Sequence, residues 1–175
     1  MKKYKNKLMI AVVALLSVFF LSTPVFAHYL STGYSVYSVN YDVEAGSYSV
    51  FDDPASWWED DVGTNFYRST SSPNDVYLQS LSYSWFGLYS PTVGSDGNTD
   101  FFDIYVNSES IREDPDHYNY VAAYKSSATH EFGHALFLDD LESGWGNNSI
   151  MSYERNRNII THPQPHDISD VKSYQ

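Results

Sequence analysis

The run from His130 to Asp140, which reads H-E-F-G-H-A-L-F-L-D-D, constrains this chain more than any other stretch. On an α-helix, His130 and His134 lie on one face, about one turn above each other. Their imidazoles can therefore converge on one ion. If the helix ends soon after His134 and the chain turns back, the carboxylate of Asp140 can reach the same point. Two imidazoles and a carboxylate are a donor set that zinc accepts.

The residue next to the first histidine adds a catalytic group to this donor set. Glu131 completes an H-E-x-x-H pattern, in which the histidines bind zinc and the glutamate acts as general base. A catalytic zinc has three protein ligands and an open fourth position. We therefore expect Asp140 as the third ligand. Asp139 and Glu154 are the alternatives, although Asp139 would point about 100° away on a continuing helix and Glu154 lacks the N-E-x-x-x-D context of thermolysin-like enzymes.

A second motif, S-I-M-S-Y, follows at residues 149–153. Together the two stretches resemble the metzincin clan of zinc peptidases, in which a methionine turn follows the zinc motif. The sequence H-E-F-G-H-A-L is most similar to the corresponding motif of secreted bacterial relatives of the matrixins. Asp140 stands where most of the clan has a third histidine, and in this respect the chain is similar to the small snapalysin-like enzymes.

The resemblance implies a role for each matching residue. His130, His134 and Asp140 would bind zinc, and Glu131 would take a proton from a zinc-activated water and pass it to the leaving amine. Met151 would form a hydrophobic floor beneath the metal. Tyr153 would contact the metal or the developing oxyanion, as the equivalent tyrosine does in astacins and serralysins.

Phe137 departs from the family pattern, which has glycine at this position because the chain leaves the helix in a left-handed conformation. A phenylalanine at positive φ is strained by roughly 1–3 kcal/mol. Two outcomes are open. Either the strain is tolerated, or the helix runs on and Asp140 is badly placed.

The implied fold is a metzincin-type α/β (α+β) domain with a twisted mixed sheet of about five strands, a backing helix, an active-site helix and a small C-terminal part. The residue pattern predicts strands near 34–43, 65–67, 75–81, 85–89 and 101–106. It predicts helices from 52 (or from 47, with Pro54 inside), from about 118 through the histidine motif, and over 167–174. Residues 101–106 are the predicted edge strand, along which an extended substrate would pair.

The N-terminus predicts export. Four lysines precede an apolar run from Leu8 to Leu21, and Val25-Phe26-Ala27 resembles a cleavage site, so residues 1–27 are predicted to be a signal peptide. Residues 28–175 would then form one metallopeptidase domain, secreted and extracellular, without a stable membrane anchor. This part has six basic and 22 acidic residues, a formal charge of −16, which disfavours nucleic acid as a partner. The chain has no cysteine, so disulfides do not stabilise it. We expect a monomer.

The sequence also contains a candidate site for a second ion, calcium. Asp96, Asn98 and Asp100 have the D-x-N-x-D start of a calcium loop, but Asn107 occupies the position of the final glutamate. These residues can equally form a solvated turn. Calcium is therefore an additional cofactor to test beside zinc.

The expected function is hydrolysis of peptide bonds in protein or peptide substrates by a secreted zinc-dependent endopeptidase. Two alternatives remain. One is a catalytically inactive zinc-binding domain that binds peptides or surface polymers, which the strain at Phe137 would favour and the general base Glu131 argues against. The other is a structural secreted domain in which the histidines are incidental.

Overall fold

A computed structural model describes residues 29–175; the predicted signal peptide lies outside the described residues. This part of the chain contains a strand, a helix, four further strands and then three further α-helices. The strands are β1 (Ser38–Val43), β2 (Asn65–Arg68), β3 (Asp75–Gln79), β4 (Gly87–Val93) and β5 (Thr99–Asn107). The helices are α1 (Tyr48–Val62), α2 (Ser108–Glu113), α3 (Tyr120–Ala135) and α4 (Pro165–Tyr174). The predicted mixed α/β class is confirmed.

The five strands form one mixed sheet in the order β2-β1-β3-β5-β4. Neighbours from β2 to β5 are parallel, and only β4 runs antiparallel, with Tyr89 opposite Ile104. The prediction that residues 101–106 form the edge strand is wrong, because β5 lies between β3 and β4. The edge strand is β4, and its Pro91 is consistent with that position, since proline cannot donate to a central ladder.

The core lies between the sheet and helices α1 and α3. Phe132 of α3 contacts the rings of Tyr41, Phe51 and Phe66, which come from β1, α1 and β2. The indole nitrogen of Trp58 donates to the carbonyl of Thr129 at 2.9 Å and joins α1 to α3. These contacts hold α3 in one position against the sheet.

Two helix starts differ from the simplest prediction. Helix α1 begins at Tyr48, so the alternative with Pro54 inside the helix is confirmed. Helix α3 begins at Tyr120, two residues after the predicted start, and is capped by Asn119, whose side chain accepts from the N–H of Ala122. Among the described residues, no helix is both long and apolar enough to cross a membrane.

Candidate metal and catalytic site

The second half of α3 is buried from Ser126 to Ala135, and it carries the histidine motif. His130, Glu131 and His134 are 3%, 4% and 8% exposed. Polar side chains buried this deeply on a helix need partners, because an unpaired polar group costs free energy in an apolar setting. Residues that follow the helix supply these partners to the two histidines, and the backbone of Tyr89 in β4 supplies one to Glu131.

Phe137 ends the helix in the left-handed conformation that the family pattern implies, with φ of 70°, so the first of the two open outcomes applies. The N–H of Phe137 donates to His134 O and that of Leu138 donates to Gly133 O, each at 3.0 Å. This pair of bonds is a Schellman motif, which normally has glycine at the left-handed position. The chain therefore turns back after His134, and the strain at Phe137 does not prevent the turn.

The turn brings Asp140 onto the two histidines. Its Oδ1 lies 3.1 Å from Nε2 of His130 and 3.6 Å from Nε2 of His134. One ligand atom from each residue lies within 4.8 Å of the others, and this group could hold a metal ion. A tetrahedral ion with bonds of about 2.0–2.1 Å keeps its ligands about 3.3–3.4 Å apart. The two distances to Oδ1 lie on either side of that spacing.

The tautomers of the histidines make the group a set of electron-pair donors. Nδ1 of His130 lies 3.0 Å from the carbonyl of Ile150, and Nδ1 of His134 lies 2.8 Å from the carbonyl of Leu138. A carbonyl only accepts, so each Nδ1 carries the hydrogen and each Nε2 presents a lone pair. Oδ1 of Asp140 is buried and has no hydrogen-bond partner in the described chain. Three lone pairs face one another, and the donor set fits a cation.

The three lone pairs repel one another, and protonation does not remove this repulsion at neutral pH. Burial lowers the pKa of His130 to about 3, aided by the charge of Arg155, and burial also lowers the pKa of His134. The pKa of Asp140 is lowered although its burial opposes this, and the Tyr153 hydroxyl, which donates to Oδ2, favours the ionised carboxylate. Two neutral imidazoles and one carboxylate are the protonation states that zinc requires of its ligands.

Glu131 lies beside the donor set without belonging to it. Its Oε2 is 4.0 Å from Nε2 of His134, and its carboxylate packs directly over Gly87 of β4, where any side chain would collide with it. Burial raises the pKa of Glu131 to about 8 against the opposing charge of Arg155. A carboxyl group with this pKa can both accept and release a proton near neutral pH.

Tyr153 and Met151 take up two further positions around the donor set. The Tyr153 hydroxyl donates to Oδ2 of Asp140 at 2.7 Å, while 60% of the residue is exposed. Met151 is buried, and its sulfur would lie 2.5 Å from a Cβ added at Gly133. The glycine in the motif therefore leaves room for Met151 beneath the histidines.

Asp167 fixes the segment that carries Met151, and the sequence had indicated it only as a residue of the last helix. Its carboxylate accepts from the Ser149 hydroxyl and from the N–H of Ile150 at 2.8 Å. It also accepts from the N–H of Gln164 at 2.7 Å, in a capping box at the start of α4. An aspartate shortly after a proline indicates a helix start. It gives no signal for the contacts with Ser149 and Ile150, because these depend on tertiary structure.

The alternative third ligands make other contacts. Oδ1 of Asp139 accepts from the N–H of Asp140 at 2.8 Å, and the carboxylate of Glu154 accepts from the N–H of Gly144 at 2.8 Å. In the predicted calcium loop, Asp96 accepts from the backbone and side chain of Asn98 within the β4–β5 turn. The structure thus brings Asp140 to the histidines, and the calcium prediction stays a prediction.

The donor set opens into a cleft of about 530 Å³. One wall is β4 with the residues before it, and the other is α3 with the residues after Met151. Sequence reasoning missed Gly87, Ser127, Arg155 and Arg157, which line this cleft. Nothing local in the sequence distinguishes these residues from ordinary loop and helix positions.

Comparison with known proteins gives a likeness of fold. No protein-family profile matches the chain, and no curated protein matches it. A chain of the GM1-bound form of the ECX AB5 holotoxin is similar with a TM-score of 0.56 and 13% identity, over 86% of this chain and 89% of that one. Myroilysin is similar with a TM-score of 0.51 and 12% identity, over 85% of this chain and 97% of that one. These likenesses show a similarity of fold alone.

Proposed function

We propose that this chain is a zinc-dependent endopeptidase of the metzincin type, released from the cell after removal of residues 1–27 and active as a monomer on protein or peptide substrates. The observation that carries the proposal is the convergence of two imidazole lone pairs on an unpaired, buried carboxylate oxygen of Asp140. A general base stands 4.0 Å from one of these imidazoles.

Each residue of the site would have its own chemical role. His130, His134 and Asp140 would hold the ion. When bound, zinc would supply Lewis acidity toward the scissile carbonyl, and its charge would favour the ionised form of Glu131. Glu131 would take a proton from the attacking water and deliver it to the leaving amine. The Tyr153 hydroxyl, released from Asp140, would donate to the oxyanion.

The edge strand β4 would hold the substrate. It borders the cleft, and Glu131 packs over Gly87 at the start of this strand. An extended peptide can pair with a free sheet edge through main-chain hydrogen bonds. This pairing would present a peptide bond to Glu131 in one register, with side chains alternating between the cleft and solvent.

The test is hydrolysis of an unfolded protein by the zinc-loaded protein, beside a Glu131→Gln variant of the same shape. We expect the variant to bind zinc normally and to lose roughly 100-fold or more in rate, since general bases contribute on that scale. Glu142→Gln is the matched control, because Glu142 is exposed and lies outside the cleft lining. It should retain activity. Asp140→Ala should lose zinc.

Two results would contradict the proposal and point to the alternatives. Bound zinc without any hydrolysis by the wild-type protein would favour an inactive domain that binds peptides or surface polymers. Absence of zinc binding, with the melting temperature unchanged by zinc, would favour a structural domain. Equal hydrolysis by the wild-type protein and Glu131→Gln would place the activity outside this site.

A further inference from the structure

Two arginines lie on the wall of the cleft in a strongly acidic chain. Only six basic residues stand between residues 29 and 175, against 22 acidic ones, yet Arg155 and Arg157 are both buried and both line the cleft beside Glu131. Among the described residues, no carboxylate lies within ion-pair distance of either guanidinium, and the one arginine that forms such a pair is Arg68, with Asp52.

Arg155 has a structural explanation. It donates to the hydroxyl of Ser126 at 3.1 Å, to the carbonyl of Ser126 at 3.3 Å and to the carbonyl of Ser152 at 2.8 Å. These bonds tie α3 to the segment after Met151. Each acceptor is neutral, so the bonds hold the guanidinium in place without cancelling its charge.

Arg157 has donors that the protein leaves unused. One guanidinium nitrogen donates to the carbonyl of Tyr153 at 3.3 Å, and the group lies over the ring of Phe86, 4.7 Å from its centroid. Its Nε is buried without a hydrogen-bond partner in the described chain. The residue is 8% exposed, so water satisfies little of this group.

A second unused donor lies in the same cleft. The hydroxyl of Ser127 is buried without a partner among the residues described, and the residue is 1% exposed. Ser127 precedes Glu131 by four residues on α3, so both occupy one face of the helix, about one turn apart. Buried polar groups in folded proteins are nearly always paired. Ser127 and Arg157 both line the cleft, and each has a polar atom without a partner among the described residues, which points to a polar ligand in this part of the cleft.

A carboxylate satisfies these donors best. It matches the planar geometry of a guanidinium, it accepts from a hydroxyl, and it supplies a charged partner at contact distance, whereas Asp114 and Glu131 act on Arg157 from beyond ion-pair distance. A doubly charged anion is disfavoured, because Glu131 and Asp140 line the same cleft. We propose that Arg157 and Ser127 form a subsite that binds a carboxylate of the substrate next to the peptide bond to be cleaved. This inference rests on the proposed peptidase function.

The experiment uses the zinc-loaded protein and end-blocked peptides in which a single Glu, or its neutral isostere Gln, is moved through each position around the cleaved bond. We expect one position at which Glu raises kcat/KM at least tenfold over Gln, since charge-assisted hydrogen bonds are strong. A second set, with a free or an amidated C-terminus, tests whether the carboxylate of a chain end fills the subsite instead. A preference in either set supports the subsite and identifies the source of the carboxylate.

Variants assign the preference to the named residues. In Arg157→Gln the ratio of kcat/KM for the Glu and Gln peptides should fall toward one, and Arg157→Lys should recover part of it. Ser127→Ala should lower the ratio to a smaller extent. Arg112→Gln removes the same charge from an exposed helix position and should leave the ratio as it is. Circular dichroism and the melting temperature establish that each variant folds.

The result that overturns the inference is cleavage of Glu and Gln peptides at equal rates at every position by the wild-type protein. A preference that survives in Arg157→Gln would overturn it as well. If no peptide is cleaved, the peptidase proposal fails first. Fluorescence anisotropy of labelled Glu and Gln peptides then decides the subsite separately, with tighter binding of the Glu peptide required and its loss in Arg157→Gln expected.

Discussion

At the scale of single residues, Phe137 shows how a strained position is retained. Its left-handed backbone is unfavourable for any residue with a Cβ, by roughly 1–2 kcal/mol. The ring, however, stacks on Tyr174 of α4 at 4.5 Å between centroids, and the backbone carbonyl accepts from Leu30 at 2.7 Å. Gly33 lies against the ring and has no space for a side chain. The packing of the ring offsets the strain of the turn.

Two substitutions at Phe137 separate the strain from the packing. Phe137→Ala keeps the left-handed strain and loses the ring, so we expect it to lower the free energy of unfolding by about 2–3 kcal/mol. Phe137→Gly loses the same ring but removes the strain, so it should be more stable than the alanine variant by about 1 kcal/mol. Urea unfolding measures both. Equal stability of the two variants would show that the turn is unstrained.

At the scale of elements, the site depends on α3 and on the segment that Asp167 attaches to α4. Helix α3 supplies His130, Glu131 and His134, and its neighbours supply the carbonyls that orient the imidazoles. One of these carbonyls belongs to Ile150, whose N–H donates to Asp167 at 2.8 Å. The position of His130 is therefore linked to a carboxylate that lies 37 residues further along the sequence.

Asp167→Asn tests this link. The amide replaces one acceptor oxygen by a donor and removes a buried charge that three donors share, so we expect the free energy of unfolding to fall by about 3 kcal/mol. Zinc affinity should fall too, because the carbonyl of Ile150 no longer holds the ring of His130. Asp60→Asn is the control, since Asp60 is exposed on α1. Unchanged zinc affinity in Asp167→Asn would contradict the link, even if stability falls.

At the scale of elements, the sequence predicts the positions of the strands but not their order in the sheet. The positions of the strands followed from alternating residues, but the identity of the edge strand did not, because pairing between strands depends on tertiary structure. Phe101 is exposed and Phe102 is buried, an alternation that a central strand and an edge strand share. Pro91 was the available signal, since proline inside a strand favours an edge.

At the scale of the whole molecule, the site combines a short local motif with distant partners. His130, Glu131 and His134 were predictable because helical spacing alone places them together. Asp140 required the turn at Phe137, which a family resemblance indicated and the residue type opposed. Arg157 and Asp167 were not predictable, because their contacts join segments whose relative positions are set by packing on α3. The parts of the site most distant in sequence are therefore the least visible in it.

Metal removal tests whether the donor set contributes to the stability of the whole protein. A ligand that binds only the folded state at a thousand times its Kd stabilises that state by about 4 kcal/mol. For a chain of this length, a change of that size shifts the melting temperature by roughly 10 °C. We therefore expect 1,10-phenanthroline, which removes zinc and spares calcium, to lower the melting temperature by roughly this amount, and added zinc to restore it.

The comparison between two histidine variants assigns that shift to the site. His134→Ala removes one of the three converging donors, so its melting temperature should respond little to phenanthroline or zinc. His162→Ala removes an exposed histidine that stacks on Trp57, far from the donor set in the sequence, and should keep the full response. An equal response in both variants would mean that zinc stabilises the protein at another place. Only a response confined to proteins with intact His134 joins the stability of the fold to the proposed metal centre.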